Sequence, residues 1–594
     1  MSKAEQNAPL PERIGKMLER TSKLWAGSLD RGVESAGKKL RPDPLHTIPA
    51  LSKFAKDYWD HPQKMMEAAT SYWTEQAELW TRMAQRSMGE PVEPMIEPAR
   101  GDKRFKDEDW QTNPYFDYLK QSYLLTARWL GTQLDDAEGL EPKERRKLNL
   151  IVRNFIEAAS PSNYAATNPS VIKATVAEEG ENLVRGLENL TRDLERGHGN
   201  LLIQQSDMDA FEVGVNMAVS PGKVVFQNEV MQLLQYAPVT EKVHKTPILF
   251  VPPWINKFYV LDLNEQKSMI KWLVAQGHTV FLISWVNPAD EHRDETWESY
   301  MLKGVVTAVE KVLEETGAEK TNIVGYCIGG TMLGCTLAWM AAKSDDRIAS
   351  ATFFTAQLEF SDAGELQAFV DEELIDVVAE AAEDHGYLAA ENMFGAFNSL
   401  RSSDLIWSFV VNNYLLGKEN FPFDLLYWNS DSTCMPGKVH TFYLDTFYNK
   451  NMLAKGELEL AGERLDCAKI KVPCYHVAAI EDHIAPAPSA YRAAKTIGSG
   501  KQKFVLAGSG HIAGVVNPPE LGKYQFWTKP GLKETDLEAW SEGAEETPGS
   551  WWPDWDKWLA KQSRSKVAAR EPGKKLGAIE DAPGSYVKDR SDAR

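Results

Sequence analysis

A β-branched run that leads into a cysteine between glycines restricts the fold more than any other feature of the sequence. Residues 322–331 read Asn-Ile-Val-Gly-Tyr-Cys-Ile-Gly-Gly-Thr, and helix-forming residues continue to Ala342. This pattern predicts a strand, a sharp turn at Cys327 and a helix, because the flanking glycines allow a turn that larger side chains would block. The first amides of such a helix stabilise a thiolate. We therefore predict that Cys327 is a nucleophile, with a buried structural cysteine as the alternative for this motif taken alone.

Strand-length runs alternate with helical stretches after about residue 205. The predicted strands are residues 222–226, 247–251, 279–285, 322–325, 348–354, 472–478 and 503–506. Helical segments between them, such as 264–276 and 297–316, predict a mostly parallel sheet with helices on both faces. Residues 359–469 interrupt the alternation and are rich in acidic and aromatic side chains. An insertion of this size predicts a helical cap, or lid, over the site.

Two later predicted strands end near residues that complete a catalytic triad. Asp482 follows the 472–478 strand, and His511 follows the 503–506 strand after a glycine-rich turn. The order nucleophile, acid, histidine at the carboxyl ends of strands is that of α/β-hydrolases. We therefore predict an α/β-hydrolase fold with Cys327, Asp482 and His511 as catalytic residues. We interpret His483, next to the acid, as a local hydrogen-bonding residue, and His476 as a satisfied core histidine.

An oxyanion hole needs two N–H donors. The N–H of Ile328, directly after the nucleophile, is predicted to be one of them. The other is expected from the loop that follows the 247–251 strand, where Pro252 and Pro253 have no N–H to offer. That leaves Trp254, Ile255 or Asn256, and we assign the role to Ile255 and Asn256.

The region before residue 205 is predicted to be mainly helical. We predict a loosely ordered arm over residues 1–50, a helical N-terminal domain over 51–205 and a catalytic domain over 206–594 that includes the cap at 359–469. Trp59, Trp73 and Trp80 are spaced close to whole heptads and fall near one helical face. That face is either buried against the protein itself or a surface for a hydrophobic partner or assembly.

Charge and composition exclude several classes of protein. The 66 basic and 85 acidic residues give a net charge of −19, which argues against binding nucleic acid. The amino terminus lacks the apolar core of a signal peptide, and no apolar stretch approaches the roughly 18 residues of a membrane span. The five cysteines form no Cys-x-x-Cys pair. We therefore predict a cytoplasmic protein with free thiols and no metal site.

A thiol nucleophile indicates the chemistry of the substrate. Transfer of an acyl group from a thioester to cysteine is nearly isoenergetic, because one thioester becomes another. The acyl-enzyme then keeps enough acylating power to pass the group to an alcohol. The choice of Cys327 therefore favours thioester donors and alcohol acceptors, although cysteine hydrolases also exist.

Several motifs resemble those of the polyhydroxyalkanoate synthases. They are Gly-Tyr-Cys-Ile-Gly-Gly at 325–330, Pro-Pro-Trp-Ile-Asn-Lys at 252–257, Tyr-Trp-Asn-Ser-Asp at 427–431, Gly-His-Ile-Ala-Gly at 510–514, Tyr-Leu-Lys-Gln-Ser-Tyr at 118–123, Pro-Ser-Asn at 161–163, Gly-Ser-Trp-Trp-Pro at 549–553 and Pro-Gly-Ser-Tyr-Val at 583–587. The resemblance covers the chain from about residue 100 onward. The length is similar to that of class I, the self-sufficient single-chain type.

This resemblance implies polymerisation of (R)-3-hydroxyacyl-CoA, with 3-hydroxybutyryl-CoA as the expected substrate, into polyester with release of CoA. Cys327 would hold the growing chain as a thioester and His511 would be the general base. Asp482 would either orient His511 or help to activate the incoming hydroxyl. Arg401 matches a position implicated in the CoA channel, and Asp262 matches an acid near the catalytic loop. A surface ion pair for Arg401 and a structural role for Asp262 are the alternatives.

The resemblance also implies partners and a location. It predicts a homodimer and association with the surface of polyester granules, and no cofactor, since CoA is part of the substrate and a product. Two other functions remain open at this point. One is a cysteine-dependent thioesterase or polyester depolymerase of the same fold, and the other is a non-catalytic granule or scaffold protein.

Overall fold

The computed structural model describes residue 20 and residues 48–563 and 565–591. The chain divides into two compact units. We call residues 1–207 with 395–422 the helical unit, and residues 208–394 with 423–594 the sheet unit. The predicted arm, 1–50, lies almost entirely outside the described residues. The predicted cap, 359–469, is divided, because its residues 395–422 belong to the helical unit.

The helical unit consists of helices whose ends follow local capping rules. Its helices are Ile48–Asp60, Pro62–Ser87, Asp109–Thr112, Pro114–Asp135, Pro142–Ala158, Pro161–Asn163, Pro169–Ala177, Glu181–Arg196, Ser403–Trp407 and Val410–Leu415. The side chain of Asn168 accepts hydrogen bonds from the N–H groups of Ser170 and Val171 and thereby caps the helix Pro169–Ala177.

Close packing joins the 395–422 segment to the rest of the helical unit. The Tyr414 hydroxyl donates to Asp193 Oδ2 at 2.6 Å, and Asn182 Nδ2 donates to the Leu415 carbonyl at 2.9 Å. A Cβ at Gly186 would lie 1.8 Å from the Tyr414 carbonyl oxygen. Only glycine permits this approach, so Gly186 allows residues 395–422 to pack within the helical unit.

Three tryptophans of the first two helices remain exposed. Trp59 is 85% exposed, Trp73 66% and Trp80 57%. Burial of this aromatic face on the protein itself, one of the two predicted alternatives, is therefore wrong for these side chains. The other alternative, a surface for a hydrophobic partner or assembly, stays a prediction.

The sheet unit is built on one sheet whose strands we number β1 to β11 in chain order. They are β1 Gly222–Gln227, β2 Met231–Tyr236, β3 Ile248–Val251, β4 Val280–Trp285, β5 Thr321–Tyr326, β6 Ile348–Phe354, β7 Cys474–Ala479, β8 Gln502–Ala507, β9 Gln525–Lys529, β10 Glu545–Pro548 and β11 Glu580–Asp581. The spatial order is β10-β9-β8-β7-β6-β5-β3-β4-β2-β1-β11. The six strands from β8 to β4 are parallel, and the outer strands pair antiparallel.

Helices lie on both faces of this sheet: side chains of Thr307–Thr316 and Ile328–Ala342 belong to one buried cluster, and side chains of Met269–Ala275 and Trp552–Ser563 belong to the other. The further helices are Trp297–Ser299 with its continuation Tyr300–Val306, Glu372–Ala381, Ala390–Leu400 (which crosses the boundary at residue 395), Asp424–Ser430, Gly437–Tyr443, Leu444–Asn449, Met452–Lys455, Ala487–Thr496 and Leu537–Ser541. Short 3-10 turns are Met208–Ala210, Phe258–Leu261, Asp290–His292, Glu365–Phe369, Cys467–Lys469, Pro519–Leu521 and Tyr586–Lys588. Two-stranded ladders join Lys242–His244 to Lys566–Ala568, Tyr387–Leu388 to Met435–Pro436, and Glu459–Leu460 to Glu463–Arg464.

The core lies on both faces of the parallel strands. Ile323 and Phe353 belong to one buried cluster, whereas their chain neighbours Val324 and Phe354 belong to the other. Successive side chains of a strand point to opposite faces, so strands covered on both sides read as continuous apolar runs. This confirms the predicted parallel, doubly covered centre of the sheet, whereas the antiparallel outer strands make the sheet as a whole mixed rather than mostly parallel. In the part of the chain that the structure describes, no helix combines the length and the apolar character needed to cross a membrane.

Candidate active site

The parallel register brings the predicted triad to one edge of the sheet. Cys327 follows β5, Asp482 lies three residues after β7, and His511 lies four residues after β8. The carboxyl ends of parallel strands meet at the same edge, with neighbouring strands about 4.8 Å apart. Only β6 separates β5 from β7, so three sequence-distant residues reach one small volume.

Cys327 lies in a strained turn between β5 and the helix Ile328–Ala342. Its φ is 52°, a left-handed value that a residue with a Cβ rarely adopts, and its N–H donates to the Phe354 carbonyl at 3.0 Å. A Cβ at Gly330 would lie 2.3 Å from the Cβ of Ala356. The glycine thus allows the helix to pack close against the sheet behind the turn, and the turn presents the thiol at the sheet edge.

Asp482 holds the ring of His511. Its Oδ2 lies 2.6 Å from His511 Nδ1, and its Oδ1 accepts the N–H groups of Ile484 and Ala485, both at 2.9 Å. The carboxylate is buried, and these bonds fix its orientation. Because Nδ1 is engaged, Nε2 is the ring nitrogen left for the hydrogen bond between His511 and Cys327. The partner of Asp482 is therefore His511 rather than its chain neighbour His483.

The charges around His511 favour its protonated form. Burial is the largest influence and lowers the pKa of His511. It is outweighed by the charges of Asp482 and Cys327 and by hydrogen bonds to both, which together raise the pKa well above its ordinary value. A histidine in this setting stabilises a thiolate as an ion pair and keeps a proton available for a leaving group.

Tyr326 contacts both the backbone and the ring of His511. No role was predicted for it from the sequence. Its hydroxyl donates to the His511 carbonyl at 3.1 Å, and the two rings stack with centroids 5.6 Å apart. Its place inside the Gly-Tyr-Cys motif was the only signal in the sequence. The structure makes it a positioning residue for the histidine.

The loop after β3 lies against the first turn of the helix Ile328–Ala342, which we call the nucleophile helix because it follows the predicted nucleophile. A Cβ at Gly329 would lie 2.3 Å from the Val251 carbonyl oxygen and 2.7 Å from that of Pro252. Ile328 begins this helix, and Ile255 and Asn256 follow in the loop. The loop and the helix start are therefore adjacent, as an oxyanion hole requires, and the assignment of its amides stays a prediction.

Two buried tyrosines of the region between β6 and β7 are influenced electrostatically by Cys327. Tyr443 ends the helix Gly437–Tyr443, and Tyr448 lies in the following turn of π-helix. Burial is the largest cause that raises the pKa of both phenols. The pKa of Tyr443 is raised next by the charge of Tyr448 and then by that of Cys327, and the pKa of Tyr448 is raised next by the charge of Cys327. They are thus hydroxyl donors within electrostatic range of the nucleophile, and no sequence pattern indicated them.

The two residues carried over by resemblance, Asp262 and Arg401, each have contacts of their own. Asp262 is 1% exposed, and its carboxylate accepts bonds from the Ser220 and Ser268 hydroxyls, both at 2.6 Å. Arg401 lies in the helical unit, where it is exposed and pairs with Asp404 at 2.5 Å. These contacts fit the structural alternatives for both residues, and roles in binding substrate stay predictions.

His476, Cys335 and Cys474 of the sheet unit are buried. His476 is buried and its Nε2 lies 2.9 Å from Gln502 Oε1, as expected for a satisfied core histidine. Both Cys335 and Cys474 are free thiols, and burial raises the pKa of each far above its ordinary value. Among the described residues, no group of three or more histidine, cysteine, aspartate or glutamate side chains is arranged to hold a metal ion.

Comparison with known proteins agrees with this architecture. Residues 101–273 match the family model described as "Poly-beta-hydroxybutyrate polymerase (PhaC) N-terminus". Residues 246–518 match the model described as "alpha/beta hydrolase fold", which confirms the predicted fold of the sheet unit.

Curated relatives match over nearly the whole chain. A "Poly(3-hydroxyalkanoate) polymerase subunit PhaC" of Rhizobium meliloti is 48% identical over 98% of this chain and 94% of its own length. A "Poly(3-hydroxyalkanoate) polymerase" of Methylorubrum extorquens is 49% identical over 91% of this chain and 89% of its own. The Cupriavidus necator subunit is 41% identical over 96% of this chain and 94% of its own. Identity of this extent shows that the chain belongs to the poly(3-hydroxyalkanoate) polymerase family.

Proposed function

We propose that this protein polymerises (R)-3-hydroxyacyl-CoA, with 3-hydroxybutyryl-CoA as the expected substrate, into polyester through a covalent thioester on Cys327. The observation that carries the proposal is the arrangement of Asp482, His511 and the strained Cys327 at one sheet edge in a member of this family. The reaction is acyl transfer in two half-reactions.

In the first half-reaction Cys327 takes the acyl group. His511 accepts the thiol proton, and the thiolate attacks the thioester carbonyl of the substrate. The tetrahedral oxyanion is held by the N–H groups of Ile328 and of Ile255 or Asn256. The carbon–sulfur bond to CoA then breaks, and His511 returns its proton to the departing CoA thiolate. The raised pKa of His511 supports this step, because the imidazolium holds the proton until the leaving group needs it.

In the second half-reaction the acyl group passes from Cys327 to an alcohol, rather than to water as it would in a hydrolase. The 3-hydroxyl of an incoming hydroxyacyl-CoA gives its proton to His511 and attacks the Cys327 thioester. An ester forms and the Cys327 thiol is regenerated with that proton. The extended chain, still a CoA thioester, can acylate Cys327 again with release of CoA. Asp482 keeps His511 oriented in both half-reactions, which its bond to Nδ1 supports over direct contact with the substrate hydroxyl.

The test is to incubate the purified protein with (R)-3-hydroxybutyryl-CoA and to follow thiol release and turbidity. We expect CoA release together with insoluble polyester, and loss of both in Cys327→Ala. Cys335→Ala is the matched control, because this buried cysteine lies on the same helix and should leave the activity intact. CoA release with a clear solution and free 3-hydroxybutyrate would instead indicate a thioesterase. Undiminished activity in Cys327→Ala would refute the covalent mechanism.

We further propose that the exposed tryptophans of the helical unit bind the polyester surface of the granule. The support is the exposure of Trp59, Trp73 and Trp80, which the product of the proposed reaction, an apolar solid, would cover. Sedimentation with poly(3-hydroxybutyrate) particles should be weakened in Trp73→Ser and Trp80→Ser. Phe155→Ser, at another exposed aromatic residue of the same unit, is the matched control. Unchanged sedimentation of the tryptophan variants would contradict the proposal.

The homodimer remains a proposal that rests on the family resemblance. Light scattering of the purified chain tests it directly. A mass near twice 66.7 kDa is the expected result, and a mass near 66.7 kDa at working concentration would contradict it.

A further inference from the structure

The Tyr-Trp-Asn-Ser-Asp motif at 427–431, with Ser432 and Thr433 after it, contacts the loop that follows β3. We call residues 428–433 the clamp and residues 254–257 the oxyanion loop. Trp428 Nε1 donates to the Lys257 carbonyl at 2.7 Å, and the side chain of Asn256 donates to the Asn429 carbonyl at 3.1 Å. The mechanism above uses no residue of the clamp.

Thr433 bonds to two consecutive carbonyls of the oxyanion loop. Its hydroxyl lies within hydrogen-bond distance of the Trp254 carbonyl and 3.1 Å from the Ile255 carbonyl, and its N–H also donates to Ile255 at 3.1 Å. Both carbonyls therefore point toward the clamp.

The geometry of the peptide bond then fixes where the amides point. In a trans peptide the C=O and the following N–H are antiparallel. With the carbonyls of Trp254 and Ile255 turned toward Thr433, the N–H groups of Ile255 and Asn256 point to the opposite side. Neither N–H has a hydrogen-bond partner in the described part of the chain. Two consecutive amides aimed the same way form an anion-binding concavity.

A buried ion pair anchors the far end of the loop. Lys257 Nζ lies 2.7 Å from Asp431 Oδ1, and the two side chains are 4% and 1% exposed. Tyr259 donates its hydroxyl to Asp431 Oδ2 at 2.9 Å. Removing one partner of such a pair leaves an uncompensated buried charge, so the pair permits very little movement between loop and clamp.

Residues 590 and 591 contact Tyr427, which directly precedes the clamp, and Ser432 within the clamp. The Arg590 guanidinium lies over the ring of Tyr427, 5.6 Å from its centroid, and the Ser591 hydroxyl donates to the Ser432 carbonyl at 3.1 Å. On the near side Trp285 Nε1 donates to the Pro252 carbonyl at 2.9 Å. The loop is therefore fixed at both ends.

We propose that Thr433 and the Lys257–Asp431 pair are positioning residues that aim the Ile255 and Asn256 amides at the acyl oxygen. This inference rests on the proposed function only in taking Cys327 as the acylated residue. It implies that the clamp controls reactions that pass through an oxyanion and leaves the reactivity of the thiolate unaffected.

Two reactions of Cys327 separate these effects. Acylation by p-nitrophenyl butyrate passes through an oxyanion and is read from the burst of p-nitrophenolate. Alkylation by iodoacetamide is a displacement at a saturated carbon and needs only the thiolate. Thr433→Val removes the hydroxyl at nearly constant volume, Thr433→Ser restores it, and Asp431→Asn breaks the ion pair. Thr336→Val is the matched control, because it removes a buried hydroxyl that bonds only within the nucleophile helix.

We expect Thr433→Val and Asp431→Asn to lower the burst rate by roughly 10- to 100-fold while alkylation stays within about twofold. Thr433→Ser and Thr336→Val should behave like the wild type. A normal burst in Thr433→Val, or a parallel loss of burst and alkylation in a variant with an unchanged melting temperature, would overturn the inference. Absence of polyester with the wild type would refute the proposed function and leave this comparison valid.

Discussion

Gly329→Ala is a direct probe of how the nucleophile helix meets the loop after β3. Gly329 lies one residue into the helix, and alanine is a good helix former at such a position. The new methyl would lie 2.3 Å from the Val251 carbonyl oxygen and 2.7 Å from that of Pro252. Both atoms belong to the backbone, so the strain cannot be relieved by rotating a side chain.

The size of the clash sets the expected loss. Ordinary van der Waals contact begins at 3.4 Å, so the loop and the helix must separate by about 1 Å. A misplacement of about 1 Å costs roughly 100-fold in rate, or about 2.7 kcal/mol in transition-state stabilisation. We therefore expect kcat/KM for CoA release to fall by roughly this factor. The overpacking should also cost about 1–3 kcal/mol of stability, of which helix propensity offsets at most about 1 kcal/mol.

Gly334→Ala on the same helix supplies the control. Its Cβ would lie 2.3 Å from Leu358 Cδ2, the far end of a flexible side chain rather than a backbone atom. The overlap is equal, but it does not touch the loop, so CoA release should stay within about threefold of the wild type. A wild-type rate in Gly329→Ala, or equal losses in both variants, would refute the argument that the loop must lie this close to the helix.

Three further perturbations follow from the electrostatics of the site and core. Asp482→Asn removes the main charge that raises the pKa of His511, so the alkaline limb of the pH–rate profile should move to lower pH and kcat should fall roughly 10⁴-fold; an unmoved limb would assign it to another group. Tyr326→Phe removes one hydrogen bond to the His511 carbonyl, worth about 1 kcal/mol, so kcat/KM should fall about fivefold, and a loss beyond about 100-fold would contradict a purely positioning role. Burial lowers the pKa of His440 and His476 to about 4, below the unfolded value near 6.5. The unfolded chain binds these protons first, so stability that is present above pH 6.5 is lost as pH falls toward 4, by up to about 3 kcal/mol per histidine. Thermal denaturation of His476→Gln should show a smaller loss of stability between pH 7 and 4.5 than that of the wild type. An equal loss would exclude His476 as a source of the acid destabilisation.

Local patterns were sufficient for the centre of the sheet and for the places of Cys327, Asp482 and His511 at its carboxyl edge, whereas their catalytic roles stay predictions. The strand Ile348–Phe354 was predicted with its observed bounds, because an apolar, β-branched run covered on both faces needs no distant information. The elbow at Cys327 was equally clear, since strand, glycines and helix are contiguous. His511 and Asp482 followed from their places after strands that could be recognised one at a time.

Apart from β1, which was predicted at 222–226, the outer strands and the supporting residues had no local signal. The strand Met231–Tyr236 contains two glutamines and no β-branched residue, yet all six residues are buried. Gln232 donates to Ser585 Oγ at 3.0 Å, and Gln235 accepts the Gly573 N–H at 3.0 Å, so their partners come from more than 330 residues away. Such pairings are a property of the finished fold. The same reason hides Tyr443 and the contact of Thr433 with the oxyanion loop.

The heptad spacing of the tryptophans indicated a shared face but not whether that face is covered. Coverage depends on which other segments pack there, and this is decided by contacts between distant parts of the chain. The 395–422 segment shows the same limit. Its position in the helical unit depends on the close approach at Gly186, which lies more than 200 residues earlier.

The strand that closes the sheet has a consequence for the order in which the enzyme is made. β11, at Glu580–Asp581, pairs with β1 from the beginning of the sheet unit, and Ser591 bonds to Ser432 in the clamp. Translation at about 5 to 20 residues per second separates the emergence of Cys327 from that of β11 by roughly 10 to 50 s. During that interval the nucleophile, the acid and the histidine are all synthesised, but the edge of the sheet and the support of the clamp are missing. The sheet edge at β1 and the support of the clamp can therefore be completed only after residues 580–591 have been synthesised, well after the three residues of the candidate active site.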